Sequence, residues 1–222
     1  YKFLRSDLTL FAYLHLAGDP DNAKKLIDTG VTGIAYETVT SSDGSMPLLA
    51  PMSTIAGQLA FVVGSYHLLK HNKGKGVMIG HMDDMDPRVV TVIGAGVAGT
   101  QSILKAIDNN ALVKVVDSSQ SKLDDLKSKY GTHNVEYILS TKDSIQVSVN
   151  ESDLVIGSVY VVGKEAPKVV TKDMLSSMNP GTVMVDVSID QGGCFETSKP
   201  TTHDSPTFLE NEIVHYCVTN MP

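Results

Sequence analysis

The chain has 222 residues, 42% of them hydrophobic, and a formal net charge of −7. That length can bury a sizeable core, one large domain or one domain with part of another, while the acidic balance and the lack of Lys/Arg clusters argue against nucleic acid as a partner. No apolar run approaches a membrane span and no signal peptide is visible; Cys194 and Cys217, without metal-ligand spacing, fit a reducing compartment as buried structural thiols, so a cytoplasmic protein with no metal site is expected. A start at Tyr1 and an end at Pro222, directly after a motif-like segment, read as a portion of a longer polypeptide.

Residues 7–17 (DLTLFAYLHLA) form an apolar segment with one histidine, His15, which taken alone is more often a satisfied core residue than a catalyst. Asp19 and Pro20 open a short helix that Gly30 closes, and residues 32–36 read as a strand followed by Glu37. After the polar turn TSSDG, the stretch LLAPMSTIAGQLAFVVGSYHLLK predicts a long helix with Pro51 near its start and Ser53 as a plausible cap. Apolar residues cover most of its circumference, with Ala56, Gly57, Ala60 and Gly64 interspersed, which suits a connector packed between two domains or against another subunit. His67, His71 and His81 share no face and have no paired acids at metal spacing, so they are assigned no chemistry. GKGVMIG at 74–80 resembles a short strand, and the loop HMDDMDP follows.

The stretch from Val89 to Asp117 organises the remainder. A β-branched run breaks into Gly94, Gly96 and Gly99, apolar residues continue at helical spacing (Val97, Ile103, Leu104, Ile107), and a second apolar run ends on Asp117. This is a βαβ dinucleotide-binding fingerprint. Gly94 permits a sharp turn, Gly96 has no side chain to block a pyrophosphate, and Gly99 allows helix and strand to pack closely. The phosphates would sit on free N–H groups at the helix N-terminus, around Val97 and Ala98, where the macrodipole favours negative charge. Asp117 is placed to accept from ribose hydroxyls and would repel a 2′-phosphate, so NAD is preferred over NADP. A lone GxGxxG is weak; the strand, the helix and the acid at the right distance give it its specificity.

Beyond Asp117, SSQSKLDDLKSKYG is a capped amphipathic helix with Leu123 and Leu126 facing inward; Lys122 could reach the adenosine ribose or simply be solvated. Residues 135–139 form a strand with Ser140 at its carboxyl end, a weak helix covers roughly 143–149, and 153–159 form a buried strand. A short helix capped by Thr171 precedes a strand at 183–187 that ends in SIDQGG. Ligands of doubly wound sheets bind outside the carboxyl ends of strands, so Asp190 falls where a nicotinamide and substrate would lie, although a turn or cap aspartate fits its spacing equally. A last strand spans 213–218. The expected class is therefore α/β: a doubly wound parallel (Rossmann) sheet of about six strands, covered on both faces, with a connector helix and the end of a second α/β domain. The expected division is 1–46, the C-terminal part of a truncated substrate domain; 47–72, the connector; and 73–222, the NAD-binding domain.

YLHLA around His15, AYET at 35–38, LLAPMS at 48–53, VIGAGVAG at 92–99, DLVIG at 153–157, APK at 166–168 and above all DVSIDQGGCFETSKPTTHDSPTF with HYCVTNMP resemble alanine dehydrogenase, in one order over the whole chain. The NAD-binding component of proton-translocating transhydrogenase shares the fingerprint and part of the APMS region but differs where IDQGGCFE stands; it is the alternative, along with a catalytically silent NAD-binding protein. The resemblance implies reversible oxidation of L-alanine with NAD and water to pyruvate, ammonium and NADH in a homohexamer without a membrane partner. It implies His15 and Asp190 as the catalytic pair. Around the cofactor it implies Ser53, Asp117, Lys122, Ser140, Val159, Asp190, Val218 and Met221, to which we add the adjacent Tyr160, Ile189 and Asn220. An imidazole can take and return protons, and a carboxylate can stabilise an iminium and orient the attacking water. Family members usually hold the substrate with an arginine and a lysine near their N-terminus. Neither is in this chain, which by itself is expected to bind NAD with little or no alanine turnover.

Overall fold

Two sheets of unequal size organise the computed structural model, which describes residues 1–80 and 84–222. His81, Met82 and Asp83 of the HMDDMDP loop lie outside the described residues, and with them the reading of His81. The smaller sheet pairs β1 (Thr9–Ala12) with β2 (Thr32–Ala35) in parallel through the crossover helix α1 (Pro20–Asp28). That helix starts where its residues dictate: Asp19 Oδ1 accepts the Asn22 N–H at 2.9 Å and proline fills the first turn.

Helix α2 (Ala50–His67) leads to the larger sheet, built from β3 (Val89–Ile93), β4 (Leu112–Asp117), β5 (Val135–Leu139), β6 (Leu154–Gly157), β7 (Val183–Asp186), β8 (Thr207–Glu210) and β9 (Ile213–Tyr216). Helices α3 (Val97–Asp108), α4 (Gln120–Tyr130) and α5 (Lys142–Glu151) make the crossovers between the first four of these strands. The order is β5-β4-β3-β6-β7-β9-β8, and all neighbours are parallel except β8 and β9. The chain adds β4 and β5 on one side of β3 and the later strands on the other, so the order switches between β3 and β6, where Ile93 pairs with Gly157, and the crevice available to a ligand opens there. Side-chain alternation covers both faces: Val90 and Val92 of β3 join a core with Ala60, Phe61 and Ile103, while Ile93 joins Ile145, Val149 and Met174 on the other side.

Four sequence expectations are corrected. The sheet has seven strands, not six, because β8 forms an antiparallel edge joined to β9 through Asn211 and Glu212, both at positive φ (49° and 61°). Such a two-residue turn normally carries glycine, so it leaves little trace here. Residues 74–80 form no strand: the Lys75 N–H donates to Gly181 O (3.0 Å), the Gly76 N–H returns to Leu68 O (2.8 Å), and Gly76 sits at φ +80°. Ser53 is not a cap; its N–H already donates to Leu49 O at 3.0 Å, inside α2. Thr171 makes no capping bond to the 3-10 stretch Lys172–Ser177.

The small residues of α2 pack closely within the chain. A Cβ on Gly57 would lie 2.1 Å from Ala98 O, one on Gly64 would lie 2.5 Å from Leu154 Cδ1, and Ser102 Oγ donates to Gly57 O at 2.7 Å. The helix is thereby fixed to α3 and the sheet, and its outer face presents Ile55, Val62 and Tyr66. No helix among the described residues is long and apolar enough to cross a membrane.

Candidate functional site

The three glycines after β3 occupy three different situations. Gly94 has φ +98°, and a Cβ there would lie 2.7 Å from Ser158 O; a Cβ on Gly99 would lie 1.8 Å from Gly94 O. Around Gly96, among the described residues, nothing stands within 4 Å of an added Cβ. The first glycine therefore makes the turn, the third lets α3 close on it, and the second leaves free space in front of the N–H groups of Val97 and Ala98. The residues present fit a dinucleotide pyrophosphate.

Asp117 ends β4 with 7% of its surface exposed. Its Oδ2 accepts the Ala95 N–H at 2.7 Å and its Oδ1 the Ser119 N–H at 2.9 Å, so it ties the glycine turn to the start of α4. Each carboxylate oxygen keeps a second acceptor site. Lys122 Nζ stands 4.0 Å from the same carboxylate, largely exposed, and the Ser140 N–H donates to Asp117 O at 2.9 Å. Gly94 to Gly99, Asp117, Lys122 and Ser140 thus line up along the carboxyl edge of β3, β4 and β5.

Beside this edge a cleft of about 660 Å³ opens between the β1–β2 unit and the large sheet, within the usual size range of ligand and cofactor sites. Of the residues singled out from sequence, His15, Ser53, Ala98, Val159, Tyr160, Asp190 and Asn220 line it. Ile189, Val218 and Met221 are buried and do not line it, and the glycine turn, Val97, Asp117, Lys122 and Ser140 lie on the adjoining edge.

His15 and Asp190, 175 positions apart in the chain, converge on this cleft. His15 sits in the left-handed region (φ 49°), held by its N–H donating to Glu37 Oε1 at 2.7 Å, while the Leu14 N–H reaches the same oxygen at 3.2 Å. Its ring stacks on Tyr13 with centroids 6.0 Å apart. Asp190 stands on the 3-10 turn Ile189–Gln191 after β7, and both its oxygens accept the Asn220 N–H at 3.2 Å. Burial pushes its carboxyl above the ordinary aspartate value, opposed by the charge of His15 and the Asn220 N–H. The two turns touch through their backbones: a Cβ on Gly18 would lie 2.2 Å from Asp190 O. Across the cleft Tyr160 Oη donates to Glu37 O at 3.2 Å. An imidazole and a carboxylate therefore face one open-sided cleft, residue types that can support proton transfer and stabilise a cation.

Glu37 and Asp186 were given no role from sequence. Glu37 is visible only as an acid at a strand end, and Asp186 only as the last residue of a buried strand. Lys168, at the end of the APK segment, donates through Nζ to Gly192 O and, at 2.6 Å, to Gly193 O, bracing the turn that follows Asp190. Cys194 and Cys217 are free and buried, and burial pushes the Cys217 thiol up to about 12. Among the described residues no group of three or more His, Cys, Asp or Glu is placed to hold a metal ion.

Two family profiles match the chain: "Alanine dehydrogenase/PNT, N-terminal domain" over residues 1–56 and "Alanine dehydrogenase/PNT, C-terminal domain" over residues 60–222. An alanine dehydrogenase of Halomonas elongata is 49% identical over 219 residues, 99% of this chain and 59% of that protein. A solved L-alanine dehydrogenase superposes with TM-score 0.87 at 41% identity, covering 98% of this chain and 60% of the other. A Sinorhizobium meliloti transhydrogenase shares the fold, with TM-score 0.77 at 23% identity over 97% of this chain and 62% of its own. The chain spans about 60% of the length of the alanine dehydrogenases it matches. With both profiles in sequence order on a sheet whose carboxyl edge carries the glycine turn and the His15–Asp190 cleft, the chain belongs to the alanine dehydrogenase/PNT family.

Proposed function

We propose that this chain carries the NAD site and the proton-transfer pair of an enzyme that reversibly converts L-alanine to pyruvate and ammonium. The observation that carries the reading is the meeting of His15 and Asp190 in one cleft beside the open space at Gly96. NAD would lie with its pyrophosphate over Gly96, its adenosine ribose at Asp117 within reach of Lys122 and Ser140, and its nicotinamide end between Ser53, Val159, Tyr160 and Asn220. Ile189, Val218 and Met221 would support that end from beneath. When bound, the nicotinamide supplies the redox step, taking a hydride from the alanine α-carbon.

The protein's residues do the rest. Asp190 stabilises the positive charge that develops at the substrate nitrogen and carbon and orients the attacking water. The His15 imidazole takes the proton from that water and returns it in the reverse direction. Its backbone seat on Glu37 fixes where the ring enters the cleft. A cytoplasmic homohexamer is the assembly we expect, with the outer face of α2 available for contact.

The arginine and lysine with which the family holds the substrate carboxylate and carbonyl lie outside these residues. The 222-residue chain alone is therefore expected to bind NAD with little or no alanine turnover. The test is NADH formation from L-alanine by the polypeptide extended upstream to supply those two residues, with His15→Ala and Asp190→Asn expected to abolish it. Unchanged rates in both variants overturn the assignment of the pair. Alanine-independent hydride exchange between NAD(H) and NADP(H) would support the transhydrogenase reading, and NAD binding with neither reaction the silent one.

A further inference from the structure

The last residue of β7, Asp186, stands outside the His15–Asp190 cleft, has no exposed surface and among the described residues has no lysine or arginine at ion-pair distance, yet its carboxylate accepts five hydrogen bonds. Oδ1 takes the Ser188 N–H at 3.0 Å and the Cys194 thiol at 3.5 Å. Oδ2 takes the Cys194 N–H at 2.9 Å, the Phe195 N–H at 3.2 Å and the Ser198 hydroxyl at 2.5 Å. The donors come from both sides of one segment, so a single carboxylate draws residues 188 and 194–198 onto itself and makes the stretch between them a closed loop. Asp190 sits at the tip of that loop.

The loop has no slack. Gly192 and Gly193 turn it back at φ +84° and +78°, and a Cβ on Gly193 would lie 2.8 Å from Asp186 Oδ2. Lys168 braces the same two carbonyls from outside. A buried carboxylate with only neutral donors is a costly way to hold a loop, and burial raises its carboxyl accordingly. Apolar packing could supply stability as well. What five convergent acceptor contacts add is direction: they leave the turn at Ile189–Gln191 one path, on which the Asp190 carboxylate meets the Asn220 N–H.

We propose that Asp186 is a positioning residue for Asp190, setting where that carboxylate stands in the cleft without touching the cleft itself. The inference rests on the reading of the His15–Asp190 pair as the working site, but the juxtaposition it explains can be measured without turnover. The Asn220 amide donates to both Asp190 oxygens at 3.2 Å, so its proton and nitrogen resonances follow the ionisation of that side chain. The charged groups facing Asp190 are His15, from the turn beyond β1, and behind it Glu37, which seats the His15 backbone.

The experiment is a pH titration of the Asn220 amide by NMR in the 222-residue protein, in the parent, Asp190→Asn, Asp186→Asn and Ser198→Ala. Asp190→Asn abolishes the response and defines the signal. In Asp186→Asn the amplitude is expected to fall by half or more, because the loop no longer delivers Asp190 to that amide; Ser198→Ala, which removes one donor and keeps the charge, loses a smaller part. Loss of a buried charge alone would move the midpoint and leave the amplitude intact. A folded Asp186→Asn protein with the full amplitude overturns the proposal. If that variant does not fold, full amplitude in Ser198→Ala overturns it instead. Failure of NAD to bind would sink the proposed function and leave this result standing.

Discussion

Gly96→Ala separates a glycine kept for a ligand from glycines kept for the fold. Gly96 has φ −76°, a conformation alanine adopts freely, and an added Cβ meets nothing within 4 Å among the described residues. At a helix N-cap glycine is favoured over alanine, so the exchange costs about 0.5–1 kcal/mol. The stability of the protein, read from urea midpoints, should therefore fall by no more than about 1 kcal/mol. If a pyrophosphate lies on the α3 N-terminus, the same methyl intrudes on it, and overpacking of that kind costs about 1–3 kcal/mol, a weakening of NAD on the order of 5- to 150-fold. Calorimetric NAD titration of the folded variant reads it directly. Gly99→Ala is the contrasting control, because its Cβ would lie 1.8 Å from Gly94 O and must displace backbone. Parental NAD affinity in a folded Gly96→Ala protein would refute the placement of the phosphates.

Two further outcomes follow from the packing. Gly18→Ala drives a methyl against Asp190 O, 2.2 Å away, so unfolding should become easier by about 1–3 kcal/mol; urea melts within about 0.5 kcal/mol of the parent would show that the two turns do not bear on each other. Burial, then the charge of His71, holds the His67 imidazole below its ordinary range, and burial lowers His215 as well. The unfolded chain then binds more protons than the folded one below about pH 6.5, so stability should fall on acidification from pH 7 to 5.5. His67 Nδ1 is also buried without a hydrogen-bond partner among the described residues, and His67→Leu should flatten that slope; an identical slope would exclude His67 as its source.

Local chemistry made much of this fold legible. The β-branched run, three glycines and terminal acid at 89–117 specify a strand, turn and helix with hardly any help from the rest of the chain, and Asp19–Pro20 start a helix by the same local logic. What the sequence concealed depends on distant backbone. The turn at Asn211–Glu212 is set by the edge of a sheet that only exists once β7 and β9 pair. Residues 74–80 look like a strand until Gly181 and Leu68 take their N–H groups. The small residues of α2 announced a close neighbour but not which one. At the site, His15 and Asp190 could be named from resemblance, whereas Glu37 seats the His15 turn through backbone N–H groups and three of the five donors to Asp186 are backbone too, contacts that leave little side-chain pattern to recognise.

The contact of Gly57 with Ala98 also decides which parts can travel together. Because α2 is keyed to α3 by a carbonyl that leaves no room for a methyl, and again by the Ser102 hydroxyl, it is packed as part of the large-sheet body despite preceding it in sequence. Any swing that widens the cleft must then bend the exposed stretch at 39–48, with its Asp43–Gly44 turn, rather than the long helix. Stiffening those ten residues should slow entry and exit at the site while leaving its closed geometry as it is.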